Sequence, residues 1–272
     1  MEESKTVWMQ NINEDSIKFI IEDNFNDLFV FMANKNGLKK SFSVKMSWVN
    51  SAPYCWPNII FNNQFENSTL ANDLKDMVAS IKNKVAPPFC LIGPKNGISD
   101  LGDRLQEHGL RPIDSWPGMA VDLEKINSSI DDIKLFKIKI VDNKKDLFDW
   151  FTLVSKELFP KKKLDLNIFM NVLNESSIKF FIGYYKDEPV STAMNFYSSG
   201  VVGTYMISTS LNHRSKGLGT AITAAALSIA KKDGYGIGIL QSTQSGFGVY
   251  TRLGFKEYCH FDVYWMLGNE FR

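Results

Sequence analysis

The run Thr204–Ala230, TYMISTSLNHRSKGLGTAITAAALSIA, restricts the chain more than any other stretch. It reads as a strand, a short turn holding Arg214, Gly217 and Gly219, and a strongly apolar helix from about Thr220. Two glycines let the backbone approach a bound group closely, with amides exposed where the helix begins. The free N–H groups and positive dipole end of that helix suit a phosphate, and Arg214 and Lys216 add charge beside it. The helix carries Leu218, Ile222, Ala225 and Ile229 on one face, with Lys231 and Lys232 at its negative end. Two other readings stay open at this level: an ordinary strand–turn–helix connection, and a nucleotide loop. The latter lacks the Lys-Ser/Thr ending of a P-loop and has only two of the dinucleotide fingerprint's glycines.

A chain of 272 residues accommodates one large domain or two smaller ones. Its 44% hydrophobic and 22% charged residues are those of a globular protein with ample core. The net charge of +1 supplies no global field for nucleic acid or membrane, so neither is expected as a partner. No apolar run approaches the ~20 residues of a membrane span. The opening MEESKTVWMQ lacks the basic-then-apolar order of a secretory signal. Cys55, Cys90 and Cys259 are scattered and odd in number, which fits a reducing cytoplasm rather than a disulfide framework. With His108, His213 and His260 they show no metal-ligand spacing, so no metal is expected.

In chain order, the pattern predicts a helix over 16–32 and a strand over 42–49, with Phe42, Val44, Met46 and Trp48 on one face. A strand follows over 58–61, then an amphipathic helix over 70–85 with Ser68 or Thr69 as its N-cap. A short strand spans 89–92, a helix 100–108 stops at Gly109, and a strand covers 119–123. NSSIDD, residues 127–132, is read as a domain boundary, giving domains 1–128 and 133–272. Beyond it come a strand over 134–141, helices over 144–158 and 164–173, and strands 179–186 and 189–197 joined at Asp187-Glu188. The opening stretch is followed by a strand over 237–242, a short helix over 247–253 ended by Gly254, and a last strand over 263–267.

The two parts share one order of elements: helix, short apolar strand, short helix ending in Gly, final strand. In the first part these are 70–85, 89–92, LQEHGL and GMAVDL; in the second, 220–232, 237–240, YTRLGF and DVYWML. Aligning the glycines sets Leu105 opposite Tyr250. QFENSTL, before the first helix, has no Arg-x-x-Gly-x-Gly.

The spacing Arg-x-x-Gly-x-Gly resembles the pyrophosphate loop of the GNAT superfamily, the acetyl-CoA-dependent N-acetyltransferases. V-Y-x-x-L-G-F, ending at Phe255, resembles that family's element in which a tyrosine lies beside the coenzyme sulfur. Both occur in the family's order, and YYKDEPVSTAMNF fits its hairpin. The resemblance covers Lys134–Arg272, while WPNIIFN and DLGDRLQEHGL…PGMAVDL resemble the degenerate first copy of tandem members. It implies an α/β fold of two tandem GNAT-like domains, each a mixed, mostly antiparallel sheet flanked by helices. The strands on either side of the loop would part there to admit the pantetheine arm.

On that resemblance, Ile207, Ser208 and Thr209 match the strand that pairs with pantetheine. Arg214, Ser215, Lys216, Gly217, Leu218, Gly219 and Thr220 match the pyrophosphate cradle. Backbone N–H groups of the strand would stabilise the oxyanion, and Tyr250 would give its proton to the leaving thiolate. A core aromatic is the other reading of Tyr250. Gln241 and Ser242 are candidates for contact with acceptor or coenzyme, strand-end hydrogen bonding being the equal alternative. The general base stays open between Glu188, Glu175, Asp262 and a water chain; Glu157 is read as a helix-surface residue, His213 as packing or surface, and Cys259 as no nucleophile. The activity implied is transfer from acetyl-CoA to a primary amine of a small molecule or peptide, by a cytoplasmic monomer or homodimer. A CoA-binding sensor without turnover is the alternative.

Overall fold

The computed structural model describes residues 6–43, 45–126, 133–266 and Gly268. The boundary assigned to 127–132 lies outside them, as do Val44 and Leu267. In chain order the elements are α1 (Glu14–Lys35), β1 (Lys39–Ser41), β2 (Ser47–Asn50), β3 (Ile59–Phe61), α2 (Leu70–Lys82), β4 (Phe89–Ile92), α3 (Leu101–Glu107) and β5 (Leu110–Asp122). The second half adds β6 (Phe136–Val141), α4 (Lys144–Leu158), α5 (Leu166–Met170), β7 (Ile178–Tyr185), β8 (Glu188–Ser198) and β9 (Val201–Thr209). It closes with α6 (Leu218–Lys232), β10 (Ile237–Gln241), α7 (Phe247–Arg252) and β11 (Lys256–Met266).

All the strands lie in one 11-stranded mixed sheet, ordered β1-β2-β3-β4-β11-β5-β10-β9-β8-β7-β6. The two copies therefore share a sheet, and they do so by exchanging their last strands. β11, from the second half, lies between β4 and β5; β5, from the first, lies between β11 and β10. Each half also contains one parallel pair, β3 with β4 and β9 with β10, as two copies of one arrangement require. β5 is the hinge of the whole, antiparallel to β11 from Leu110 to Ala120 and to β10 from Gly118 to Asp122.

Side-chain alternation along the central strands sorts the core into two layers. Leu91, Ala120, Ile239, Phe261 and Val263 pack with α1, α4 and α5 on one face. On the other, Cys90, Leu110 and Tyr264 pack with α2 and α3, while Met119, Val121 and Leu240 pack with α6 and α7. α1 spans the shared region: Ile21 reaches Gly118 of β5, and Phe25 touches both Tyr205 of β9 and Phe261 of β11.

Several sequence expectations need correction. Of the described residues in the strand expected over 42–49, only 47–49 are in a strand, β2, which pairs with β1 just before the predicted start, and Phe42 is exposed between the two. Thr69 precedes α2 without capping it; its hydroxyl donates to the Asp73 carboxylate instead (2.6 Å), and α2 ends at Lys82, leaving Val85 exposed. β5 and β11 are far longer than the strands expected over 119–123 and 263–267, because pairing with each other sustains polar stretches that carry no apolar alternation. The β7–β8 turn is Lys186-Asp187, both at positive φ (50° and 64°), the type I′ geometry that matches strand twist.

Candidate active site

The strand before the glycine turn is bent on purpose. β8 and β9 pair from Ser198↔Val201 onward, but Thr192 faces Ser208 and Met194 faces Tyr205, so Met206 and Ile207 together oppose Ala193. Met206 takes the left-handed conformation (φ 49°), and Thr192 Oγ1 ties the bulge down by donating to the Met206 carbonyl at 2.9 Å. A bulge twists its strand away from a neighbour. Here β9 pairs with β10 only at Val202↔Gly238 and Gly203↔Ile239, and beyond these the strands separate. β10 stays with β5 down to Gln241↔Gly118.

The resulting gap has polar edges. The Ser210 N–H donates to Val190 of β8 (2.8 Å), so alternation turns the backbone groups of Thr209 and Ile207 toward the gap. At its foot the turn runs through Ser215 (φ 60°) and Gly217 (φ 76°) into α6, which starts at Leu218 rather than near Thr220. Two left-handed residues in close succession form an anion-binding concavity of amides. Gly217 caps α6 without a side chain, and the first helical bond is Ala221 N–H to Gly217 O. The N–H groups of Leu218, Gly219 and Thr220 have no acceptor among the described residues. A Cβ on Gly219 would stand 3.2 Å from Thr209 Oγ1, narrowing the angle between strand and helix. These groups fit a pyrophosphate.

The turn's cations are exposed but tied back to the protein. Arg214 Nε donates to Thr209 O (3.1 Å), and its Nη2 pairs with Glu157 of α4 at 3.1 Å. The Glu157 side chain is only 6% exposed, so it is no helix-surface residue. One sequence signal could have found it: a carboxylate in the last turn of a helix opposes the dipole and needs a cation. Lys216 Nζ donates to Asn212 O (3.2 Å), and His213 Nδ1 contacts Ser210 Oγ (2.9 Å).

Tyr250, on α7, is buried in the apolar cluster that also contains Leu240 of β10, with Ile207 of β9 and Phe247 packed against that cluster and Phe255 edge-on at 5.9 Å. Burial pushes its pKa above the ordinary phenol value, so it is protonated at neutral pH. Its hydroxyl bonds to no described residue and is not among the sealed unpartnered atoms, so it opens onto accessible space. Gln241 lies on the opposite face, with Ile239. Both ends of its amide are buried without a partner, which leaves two hydrogen bonds for a ligand or water to supply. Ser242 is spent locally: its N–H donates to Pro117 O (2.9 Å) and its hydroxyl to Thr243 O (2.7 Å).

The carboxylates named as possible bases are placed elsewhere. Glu175 pairs with Lys35 of α1 (2.8 Å), Asp262 accepts from Ser115 Oγ (2.7 Å), and Glu188 is exposed at the start of β8. Cys259 is half-buried and its thiol pushed up to about 12 by burial, with Glu22 and Glu257 adding to it, which leaves it unreactive. A surface depression lined by Trp8, Gln10, Asp122 and Glu124 adjoins the far end of β5 and meets none of the site residues. Among the described residues no group of three or more His, Cys, Asp or Glu could hold a metal, and no helix is long and apolar enough to cross a membrane.

Residues 148–260 match the family model described as acetyltransferase (GNAT) domain. No curated protein matches the chain at a significant level. Among solved structures, it is similar to a GCN5-related N-acetyltransferase from Kribbella flavida, with 15% identity over 89% of this chain and 96% of that one and a TM-score of 0.69. A GCN5-related N-acetyltransferase from Sphaerobacter thermophilus gives 12% identity, coverage of 96% and 93%, and a TM-score of 0.65. A tandem GNAT protein from the clavulanic acid biosynthesis pathway gives 11%, coverage of 80% and 77%, and a TM-score of 0.54. At these identities the likeness is one of fold, and it spans both halves. Over residues 148–260 the chain is therefore similar to the GNAT acetyltransferase domain, and as a whole it shares the fold of these structures, one of which is a tandem GNAT protein.

Proposed function

We propose that the second half transfers an acetyl group from acetyl-CoA to a primary amine of a small molecule or peptide. The observation that carries this reading is the opening between β9 and β10, with free amides of α6 at its foot; Tyr250, in the apolar cluster that includes Leu240 of β10, is the acid candidate. The amides of 215–220 would hold the pyrophosphate, and the gap edge of Ile207–Thr209 would pair with the pantetheine arm. When bound, the thioester supplies an acyl carbon open to direct attack by an amine. A backbone N–H on the gap edge of β9 is a fixed donor for the oxygen as it gains charge. Tyr250, a phenol and therefore protonated at neutral pH, gives its proton to the departing sulfur. Gln241, with its unpartnered amide, takes the acceptor or the acyl end of the donor. The same reading involves no nucleic acid, membrane or metal and takes the chain as a cytoplasmic monomer or homodimer.

The test follows thiol release from acetyl-CoA against a panel of amines. Amine-dependent release is expected, and Tyr250→Phe should lower kcat roughly 100-fold while acetyl-CoA binding holds. Release unaltered in Tyr250→Phe would remove the acid role. Tight acetyl-CoA binding with no amine turned over would mark a sensor instead.

A further inference from the structure

Glu157 stands where nothing local explains it. It closes the last turn of α4 against the helix dipole, its side chain is 6% exposed, and its charged partner is Arg214, itself 53% exposed. Arg214 also donates to Thr209 O, on the gap edge of β9. The carboxylate is therefore two contacts from the gap. It approaches from the α4 face, opposite the one on which α6 and Tyr250 lie. Arg214 meanwhile belongs to the turn whose amides form the anion cradle, so one guanidinium serves two anions. The other basic side chains of the turn are engaged: Lys216 Nζ with Asn212 O, and His213 Nδ1 with Ser210 Oγ.

We propose that Glu157 receives the ammonium group of the acceptor and takes its proton, and that Arg214 neutralises Glu157 until the donor's pyrophosphate draws the guanidinium away. The inference rests on the donor site proposed above. A buried carboxylate losing its cation demands another, and a primary ammonium arriving from the α4 face supplies it. One N–H proton passes to the Glu157 carboxylate and on to solvent. The freed nitrogen pair forms the C–N bond to the thioester carbon, and the C–S bond breaks as the oxyanion collapses. Tyr250 protonates the sulfur and regains a proton from the second nitrogen N–H. Thioester and ammonium thus give amide, thiol and one proton.

The experiment titrates CoA into the full chain, then ethanolamine, benzylamine and glycylglycine with and without saturating CoA. At least one amine should bind in the millimolar range or tighter, about fivefold or more tightly with CoA present, and by linkage it should tighten CoA by the same factor. Glu157→Gln should weaken that amine at least about tenfold and lower kcat roughly 100-fold without weakening acetyl-CoA, whereas Glu157→Asp retains most of both. Arg214→Gln should abolish the effect of CoA on amine affinity. Wild-type amine affinity in Glu157→Gln, no CoA effect in the wild type, or no amine binding at all would each overturn the proposal. A wild type that binds no CoA fails the donor reading itself, which the first titration shows before any amine is added.

Discussion

The two halves hold the same gap and treat it in opposite ways. β3 and β4 pair at Ile60↔Cys90 and β9 and β10 at Gly203↔Ile239, and both pairs then separate. In the first half the chain fills the opening itself. Asn63 donates to Leu91 O (2.8 Å), Asn96 donates to Asn63 O (2.8 Å), and the Glu22 carboxylate of α1 accepts from Lys95 N–H (2.6 Å) while pressing on Gly93. The second opening keeps a polar strand edge and the unpartnered amide of Gln241. The helix starts differ in the same sense. α2 places Asp73 in its first turn, held by Lys45 and Thr69, whereas α6 has no acidic residue there and begins on a left-handed glycine. Leu105 lies sealed in the core where Tyr250 presents a hydroxyl. A copy can evidently lose a site by closing it with its own polar groups while its fold persists.

The exchanged strands set the largest expected effect. A fragment beginning at Ile133 lacks β5, which separates and pairs both β10 and β11. It should show no cooperative unfolding transition by circular dichroism, and adding fragment 1–132 should restore one. A soluble, fully active 133–272 fragment would show that the halves are independent after all.

A smaller effect probes the filled gap. Burial raises the Glu22 carboxyl from its ordinary 4.5 to about 7, outweighing the Lys95 N–H and the Lys95 charge that lower it. Below pH 4.5 the group is neutral in both folded and unfolded chains and contributes nothing. As pH rises toward 7 the unfolded chain ionises first, so stability falls across that window by roughly 3 kcal/mol. Glu22→Gln, which keeps an acceptor for Lys95, should be more stable than wild type by up to about that amount at pH 8 and equal to it at pH 4. Denaturant melts at the two pH values check this. A gain at pH 4, or none at pH 8, would mean that the carboxylate is solvated.

The smallest effect concerns the silent copy. Leu105→Tyr places a phenol at the position matching Tyr250 but leaves the gap filled and α2 acidic. It should create no activity in a Tyr250→Phe background and cost about 1–3 kcal/mol of stability, since overpacking a sealed position strains its neighbours. Activity recovered in that double variant would mean that the first gap opens.

Local chemistry made much of this legible. The glycine turn, the apolar face of α6 and the existence of the β7–β8 hairpin, though set one residue too late, each rest on residues close in sequence. What stayed hidden is non-local. Nothing in LRPIDSWP marks a strand, because its order comes from β11, nearly 150 residues away. The exchange of β5 and β11 leaves no periodicity to read. Glu157 and Arg214 meet across 57 residues, and the filled first gap depends on Glu22 reaching Lys95 across 73.

Calorimetric titration of acetyl-CoA into the full chain tests the central claim most directly. The account predicts one site per chain, lost or weakened at least about tenfold in Gly217→Val, whose side chain strains the left-handed cap of α6. Two equivalent sites, or one site indifferent to Gly217→Val, would contradict it.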